Sequence, residues 1–430
     1  MHNQCVHQKK QLCVGCGVCA GICDAIQMKS DSFGFYYPDI NTEKCVHCGK
    51  CVSVCPMLLG DEKRMELEKE CWKDQKISYR METGYYRGTY EGEIARYRPT
   101  SASGGFCTAL LIELLKRSLV QSIYCARQKH NVEHFFISER ITTSEELKKS
   151  SGSAYYPIEI SQTLRSIRQN DEKTAIVCLP CQATAIRLAM QKDKRLRDRI
   201  VFIIGLVCGG IPGKSMVEYI ASDLNIDKQQ ITRITFREKD KGIRCNNCQI
   251  KFYCGENEIA VSRFHGESFG FVYLNHILHN RGCDTCTDIF AEQADAVFGD
   301  AWFDENKPNE MGTSICITRN LMLDQIMKDI GAGVSNIDRM ILAQSNVGLI
   351  NRKKRLSYYY KKYYKQHGYV IDTDDEKIPN KKTYIRVFLN EILADRNRKS
   401  WLLYKANRIS FNQLKKKWRQ NILLKKKAKL

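Results

Sequence analysis

Cys13-Val14-Gly15-Cys16-Gly17-Val18-Cys19-Ala20-Gly21-Ile22-Cys23 and Cys45-Val46-His47-Cys48-Gly49-Lys50-Cys51-Val52-Ser53-Val54-Cys55-Pro56 are one pattern written twice. Each run spaces its thiols C-x-x-C-x-x-C-x-x-x-C. Two-residue gaps let a tight loop wrap three sulfurs around one corner of a cubic cluster, and the fourth sulfur must come from across it. Gly15, Gly17 and Gly49 suit such loops, because glycine lets backbone N–H groups approach the sulfurs. Paired zinc knuckles also use C-x-x-C, but a zinc site closes with four ligands and gains nothing from this doubled spacing. A disulfide framework fits less well, since no secretory signal precedes the runs and the cysteine density falls after residue 55.

The doubled run is similar to that of bacterial-type ferredoxins, in which each run feeds three thiolates to one 4Fe–4S cluster and its fourth to the other. Cys13, Cys16, Cys19 and Cys55 are therefore assigned to one cluster, and Cys23, Cys45, Cys48 and Cys51 to a second. Asp24 stands where proline is usual, which changes the turn but removes no ligand. Phe33 to Pro38 is expected as the hairpin between the two loops.

The chain has 430 residues, room for two or three domains. No stretch approaches the ~20 apolar residues of a membrane span, and no signal-peptide core follows Met1. Reduced cysteines and clusters imply an oxygen-protected compartment, so the cytoplasm is expected. The net charge of +20 is uneven: residues 351–430 hold 24 Lys and Arg against 6 Asp and Glu, and the rest holds 44 against 42. A nucleic-acid reading from overall charge thus fails for the body of the chain. No H-E-x-x-H, G-x-S-x-G or P-loop pattern points to hydrolysis or nucleotide cleavage.

The expected order is a ferredoxin-like α+β domain over 1–60, a charged linker over 61–84, an α/β flavin-binding domain over 85–345 and a basic, largely helical extension over 346–430. In the third of these, Phe106–Arg117, Ser161–Gln169 and Gln182–Met190 read as helices. Ser118–Ala126, Glu133–Ser138, Thr174–Leu179 and Ile200–Val207 read as strands, an alternation that favours a largely parallel sheet. Two strands end in cysteine-bearing turns, at Pro180-Cys181 and at Cys208-Gly209-Gly210, where open sheets bind ligands. With the loop Cys283-Asp284-Thr285-Cys286 they suggest a third cluster on Cys181, Cys208, Cys283 and Cys286. Cys178, Cys245 and Cys248 compete for those places, and Cys245, Cys248 and Cys254 could form a separate metal site. Cys5, Cys107, Cys125 and Cys316 read as structural, and Cys71 as incidental.

Ser103-Gly104-Gly105 before a helix, Gly152-Ser153-Ala154-Tyr155, Leu179-Pro180-Cys181-Gln182, Cys208-Gly209-Gly210, Cys283-x-x-Cys286 and Gly299-Asp300-Ala301-Trp302 occur in that order. The set resembles the beta subunit of the coenzyme F-420 (deazaflavin) hydrogenase/dehydrogenase family, over about residues 85–305. The resemblance implies an FAD enzyme in which a cluster passes single electrons and the flavin pairs them for an organic substrate or deazaflavin-like coenzyme. Ferredoxin or another redox protein is then the expected donor or acceptor. Cys178 departs from the family's usual glycine, and Cys245-x-x-Cys248 is a further departure. Ser103, Gly104 and Gly105 offer an anion site at a helix start, and Gly152 and Ser153 a second phosphate or ribose contact. Catalytic residues are not named by the sequence. Asp300 reads as a ligand contact or a helix cap, Trp302 as a flavin cover or packing, and His265 and His276 as surface histidines, with proton relay as the alternative. A non-catalytic electron-transfer subunit is the competing function.

The extension interleaves Lys and Arg with Tyr358-Tyr359-Tyr360, Tyr363, Tyr364, Trp401, Leu402, Ile409, Leu414, Trp418, Ile422 and Leu423. That basic amphipathic pattern suits an anionic membrane surface or an acidic partner.

Overall fold

Residues that must wrap metal clusters leave little backbone for regular structure, and the N-terminal unit is accordingly small. The computed structural model describes residues 12–73, 76–130, 133–303, 309–331, 333–371 and 380–427. Cys5 lies outside them, with the rest of residues 1–11. Short helices Val18–Gly21 and Lys50–Ser53 follow the two cysteine loops. Gly15, Gly17 and Gly49 all have positive φ, as the loops require. Between them lies an antiparallel hairpin of β1 (Ile26–Ser30) and β2 (Tyr36–Ile40), turning at residues 31–35.

Residues 61–84, expected as a charged linker, pack against the body. Asp61–Trp72 is a helix whose Leu67, Glu68 and Trp72 are buried, and Trp72 Nε1 donates to Glu292 O at 3.0 Å. The following hairpin, β3 (Ser78–Arg80) and β4 (Gly84–Tyr86), is stapled to the body by Arg319. That guanidinium is fully buried and donates to the carbonyls of Thr83, Tyr85, Ala291, Ala294 and Phe290. Charge-rich composition misleads here because most of the charges face outward while Leu67, Glu68 and Trp72 are buried.

The body is an eight-stranded sheet. Its strands are β5 (Gly88–Gly92), β6 (Ser122–Gln128), β7 (Phe136–Ile141), β8 (Thr174–Cys178) and β9 (Ile200–Leu206). After a separate meander of β10 (Arg233–Glu238), β11 (Gln249–Cys254) and β12 (Asn257–Ser262) come β13 (Ala296–Asp300), β14 (Ser314–Thr318) and β15 (Val334–Asn336). The order is β15-β5-β14-β13-β9-β8-β6-β7. Only the centre, β13-β9-β8-β6, is parallel; β14, β5, β15 and β7 add antiparallel edges, so the sheet is mixed. The expected alternation holds where helices intervene, and fails where strands follow one another directly. β6 starts later than expected because Ser118 turns the chain at φ 53° after the helix Phe106–Lys116. β7 is likewise displaced by a few residues toward its C-terminal side.

One sheet face packs against Phe106–Lys116, through Phe106, Leu110 and Leu114. The other packs against Ser161–Gln169 and Pro180–Lys192, through Leu164, Ile167 and Ile186, and that same core takes in Val18, Ala20 and Ile26 of the N-terminal unit. A Cβ on Gly21 would lie 2.8 Å from Leu164 Cβ. Arg165 donates to Ala20 O, Cys23 O and Ile26 O, and Arg168 to Gly21 O. Two guanidiniums thus cap the carbonyls beside the cysteine loops and lock the ferredoxin-like unit to the sheet.

The extension is helical, over Ser357–Gln366, Lys381–Lys405 and Phe411–Lys427. Its apolar face is not free. Trp401, Leu414 and Trp418 are 0% exposed and pack with Tyr219, Ile220 and Phe269 of the body. Tyr360, Tyr363 and Tyr364 form a second cluster with Val387 and Leu12. Leu402 and Leu423 stay exposed. The surface-binding reading is corrected accordingly: most of the residues that suggested it are internal packing. No described helix is long and apolar enough to cross a membrane.

Candidate functional site

The cysteine runs close two cavities. Cys13, Cys16, Cys19 and Cys55 line one, and Cys23, Cys45, Cys48 and Cys51 line the other. Each takes its fourth thiol from the opposite run, the exchange expected from the spacing. Gly15 N donates to Cys13 Sγ at 3.3 Å. Burial, and then the neighbouring Cys13, push the Cys55 thiol up to about 12, and burial likewise raises Cys16. Burial raises all four thiols, and neighbouring sulfurs raise Cys16, Cys19 and Cys55 further, so they resist ionisation until a cationic centre draws the charge. That donor chemistry fits an iron–sulfur cluster.

A third group forms where the body meets the N-terminal unit. Cys181 follows β8 at the start of its helix, Cys208 follows β9, and Cys283 and Cys286 flank one short turn. Cys181 lies within the electrostatic reach of Cys286, Cys208 and Cys283, as well as of Cys16. Cys283 packs with Val14, Cys16, Ile211 and Cys181, and burial pushes its thiol up to about 12. Gly210 N donates to Cys208 Sγ at 3.4 Å, repeating the N–H to sulfur turn at Cys13. A Cβ on Gly210, whose φ is 125°, would lie 2.0 Å from His279 Cε1. The competitors lie elsewhere. Cys178 faces Arg187 and Asp295, Cys245 and Cys248 sit beside Arg237 and Asp300, and Cys254 ends β11. Among the described residues no three His, Cys, Asp or Glu groups are arranged to hold a single ion.

A cleft enclosing about 1620 Å³, its open mouth included, runs along the carboxyl ends of β6, β8, β9 and β13. Ser103, Gly105, Gly152 and Ser153 line it, and Cys208, Gly209 and Gly210 form its far wall. Gly104 does not line it: a Cβ there would lie 2.3 Å from Gly92 O, so its glycine permits close packing. Gly105 takes φ 90° as the cap of Phe106–Lys116, and no side chain caps that helix, which leaves its first N–H groups for an anion. Ser101 and Ser151 hydroxyls lie 3.0 Å apart and both approach Thr108 Oγ1, tying the two serine–glycine loops together. Ser103 Oγ donates inward to Thr313 O at 2.7 Å.

Several residues here carry no sequence signal. Lys239 Nζ donates to Ser103 O at 2.9 Å and to Arg98 O at 2.5 Å, bracing the loop from behind. Burial, with Arg237 and Arg98 nearby, lowers its pKa to about 8. Asp300 caps no helix among the described residues; it pairs with the buried Arg237 at 2.5 Å, and Arg237 lies 5.4 Å from the Trp302 ring centroid. Gln182, last residue of the Leu179-Pro180-Cys181-Gln182 motif, braces the turn: it accepts from Leu179 N and donates to Ile158 O at 2.9 Å each. His265 is exposed. His276 is half-buried against His279, and burial holds its pKa well below the usual value. Cys107 and Cys125 line the cleft, whereas Cys316 is core.

Residues 89–165 match the N-terminal part, and residues 171–338 the C-terminal part, of the coenzyme F420 hydrogenase/dehydrogenase beta subunits as a family. Residues 12–58 and 37–96 each match a 4Fe-4S dicluster domain. The beta chain of the F420-dependent formate dehydrogenase of Methanocaldococcus jannaschii is 28% identical over 203 residues, 46% of this chain and 48% of that one. A component of the F(420)H(2) dehydrogenase of Methanosarcina mazei is 25% identical over 140 residues, 32% of this chain and 37% of that one. The chain thus aligns with half or less of the length of these two relatives. An uncharacterised M. jannaschii protein is 24% identical over 258 residues, 59% of this chain and 87% of that one. A chain of the F420-reducing NiFe hydrogenase complex of Methanosarcina barkeri shares the fold, with TM-score 0.51 and 17% identity, over 67% of this chain and 96% of that one. The protein belongs to the family of coenzyme F420 hydrogenase/dehydrogenase beta subunits, with 4Fe-4S dicluster domains at its N-terminus.

Proposed function

We propose that the chain is an iron–sulfur flavoprotein oxidoreductase that relays electrons between clusters and FAD to reduce or oxidise a deazaflavin coenzyme or another organic substrate. Cys13, Cys16, Cys19 and Cys55 hold the first cluster, Cys23, Cys45, Cys48 and Cys51 the second, and Cys181, Cys208, Cys283 and Cys286 a third. The first helix turn after Gly105 and the Ser151–Ser153 loop take the FAD phosphates and ribose. Bound there, the flavin supplies the conversion between single electrons and a hydride. The chain supplies position and dryness: Cys16 and Cys181 share one small cavity wall, and the Cys208–Gly210 turn serves both the third thiol group and the cleft. That shared turn is the observation that carries the reading.

The test is anaerobic purification with iron, sulfide and flavin measured on one sample, beside a Cys181→Ser/Cys208→Ser variant. About twelve iron and one FAD per chain, falling to about eight iron in the variant, is the expected outcome for three four-iron sites. About eight iron in both and no flavin would leave an electron carrier. A docking subunit of a larger complex is the second reading. It is favoured by Val46, 83% exposed between Cys45 and Cys48 at the edge of the second cavity, where a ferredoxin or other redox protein could exchange electrons.

A further inference from the structure

Arg352-Lys353-Lys354-Arg355 is, in sequence, only the basic opening of the extension. In the structure Asn351–Leu356 is a π-helical turn, a geometry that is rare and recurs at functional positions. The turn sends three successive cations to different partners. Arg352 reaches Asp284 at 3.8 Å and Lys354 reaches Glu292 at 2.6 Å. Lys353, 2% exposed, points at the third thiol group, with Nζ 3.5 Å from Cys286 Sγ and 2.9 Å from Asp288 O. Its hydrogen bonds among the described residues go to a sulfur and a carbonyl, and the Asp288 carboxylate accepts instead from Glu292 N at 3.0 Å. A buried ammonium is stable only when an anion compensates it. The leading negative groups that act on Lys353 are the sulfurs of Cys286, Cys208 and Cys283.

The geometry points to Lys353 as the positioning residue that sets the reduction potential of the third iron–sulfur site, by donating to the Cys286 sulfur and holding a fixed positive charge against the cluster. This rests on the third site proposed above. One electron from the N-terminal clusters adds one negative charge there, with no bond made or broken and no proton required. The ammonium therefore favours the reduced state, and its removal lowers the potential.

The experiment is an EPR-monitored redox titration of the full chain, purified anaerobically, with the third signal identified as the one lost in Cys283→Ser. In Lys353→Met the reduced-to-oxidised ratio at fixed potential should fall about tenfold or more, which is about 59 mV for one electron. The N-terminal signals should not move, and Lys353→Arg should recover most of the shift. Loss of the third site's iron in Lys353→Met with retention in Lys353→Arg would also support the role. Loss in both would overturn it, and so would a midpoint in Lys353→Met equal to that of the parent. If Lys353→Met does not fold, Lys353→Gln is read in the same way. A third signal indifferent to Lys353 removes only this role. A Cys283→Ser variant that loses neither iron nor signal removes the third site, and this inference with it.

Discussion

Glu68 and Glu292 face each other across Gly84, where a Cβ would lie 2.7 Å from Glu68 Oε1 and 2.8 Å from Glu292 Cγ. Burial, and then the Glu292 charge, raise Glu68 to about 8, whereas Lys354 and Arg64 help hold Glu292 ionised. The folded chain therefore keeps a proton that an unfolded glutamate releases near its usual 4.5. The associated stability is fully present below that value and is lost as pH rises through about 8. Glu68→Gln should flatten this slope and stabilise the protein at alkaline pH by roughly 1–3 kcal/mol. Parallel anaerobic melting profiles for parent and variant from acid to alkaline pH would sink the idea. Neither this pair nor Lys353 or Lys239 could be found from sequence, because each gains its meaning from a partner contributed by a distant segment. The cysteines could be found, because their chemistry is written in local spacing.

At the scale of elements, the helix Phe411–Lys427 is the informative case. Its basic amphipathic pattern was legible, but amphipathicity states only that a face will be buried, not against what. The face went to the protein's own body and to the neighbouring extension helix: the Trp418 ring centroid lies 4.9 Å from that of Tyr219, and its Nε1 donates to Asn397 O. Trp418→Ala should thus cost about 3–5 kcal/mol. Leu423→Ala and Leu424→Ala, on the exposed side, should stay within about 0.5 kcal/mol. Thermal unfolding of the three variants separates the readings, and equal small effects would restore a free surface helix. The helix Asp61–Trp72 teaches the same lesson in reverse. Its charges suggested a linker, whereas buried Leu67, Glu68 and Trp72 dock it on the body.

Across the whole molecule, the thiol groups run from surface to interior. Cys48 is exposed at the second cavity, whereas Cys208 and Cys283 are buried at the third. Air exposure should therefore strip iron from the second site first, then from the others. Time-resolved EPR and iron release would show the second site's signal decaying ahead of the rest; simultaneous loss would contradict the gradient. The doubled C-x-x-C runs, the grouping of their thiols around two cavities and the main helices and strands of the body were legible in the sequence alone, because thiol spacing and hydrophobic period are local properties. The grouping of Cys181 with Cys208, Cys283 and Cys286 appears only in the tertiary structure, as do the antiparallel sheet edges and the burial of the basic extension. Those outcomes depend on which distant segments share a surface, and the packing of the sheet against the N-terminal unit settles that.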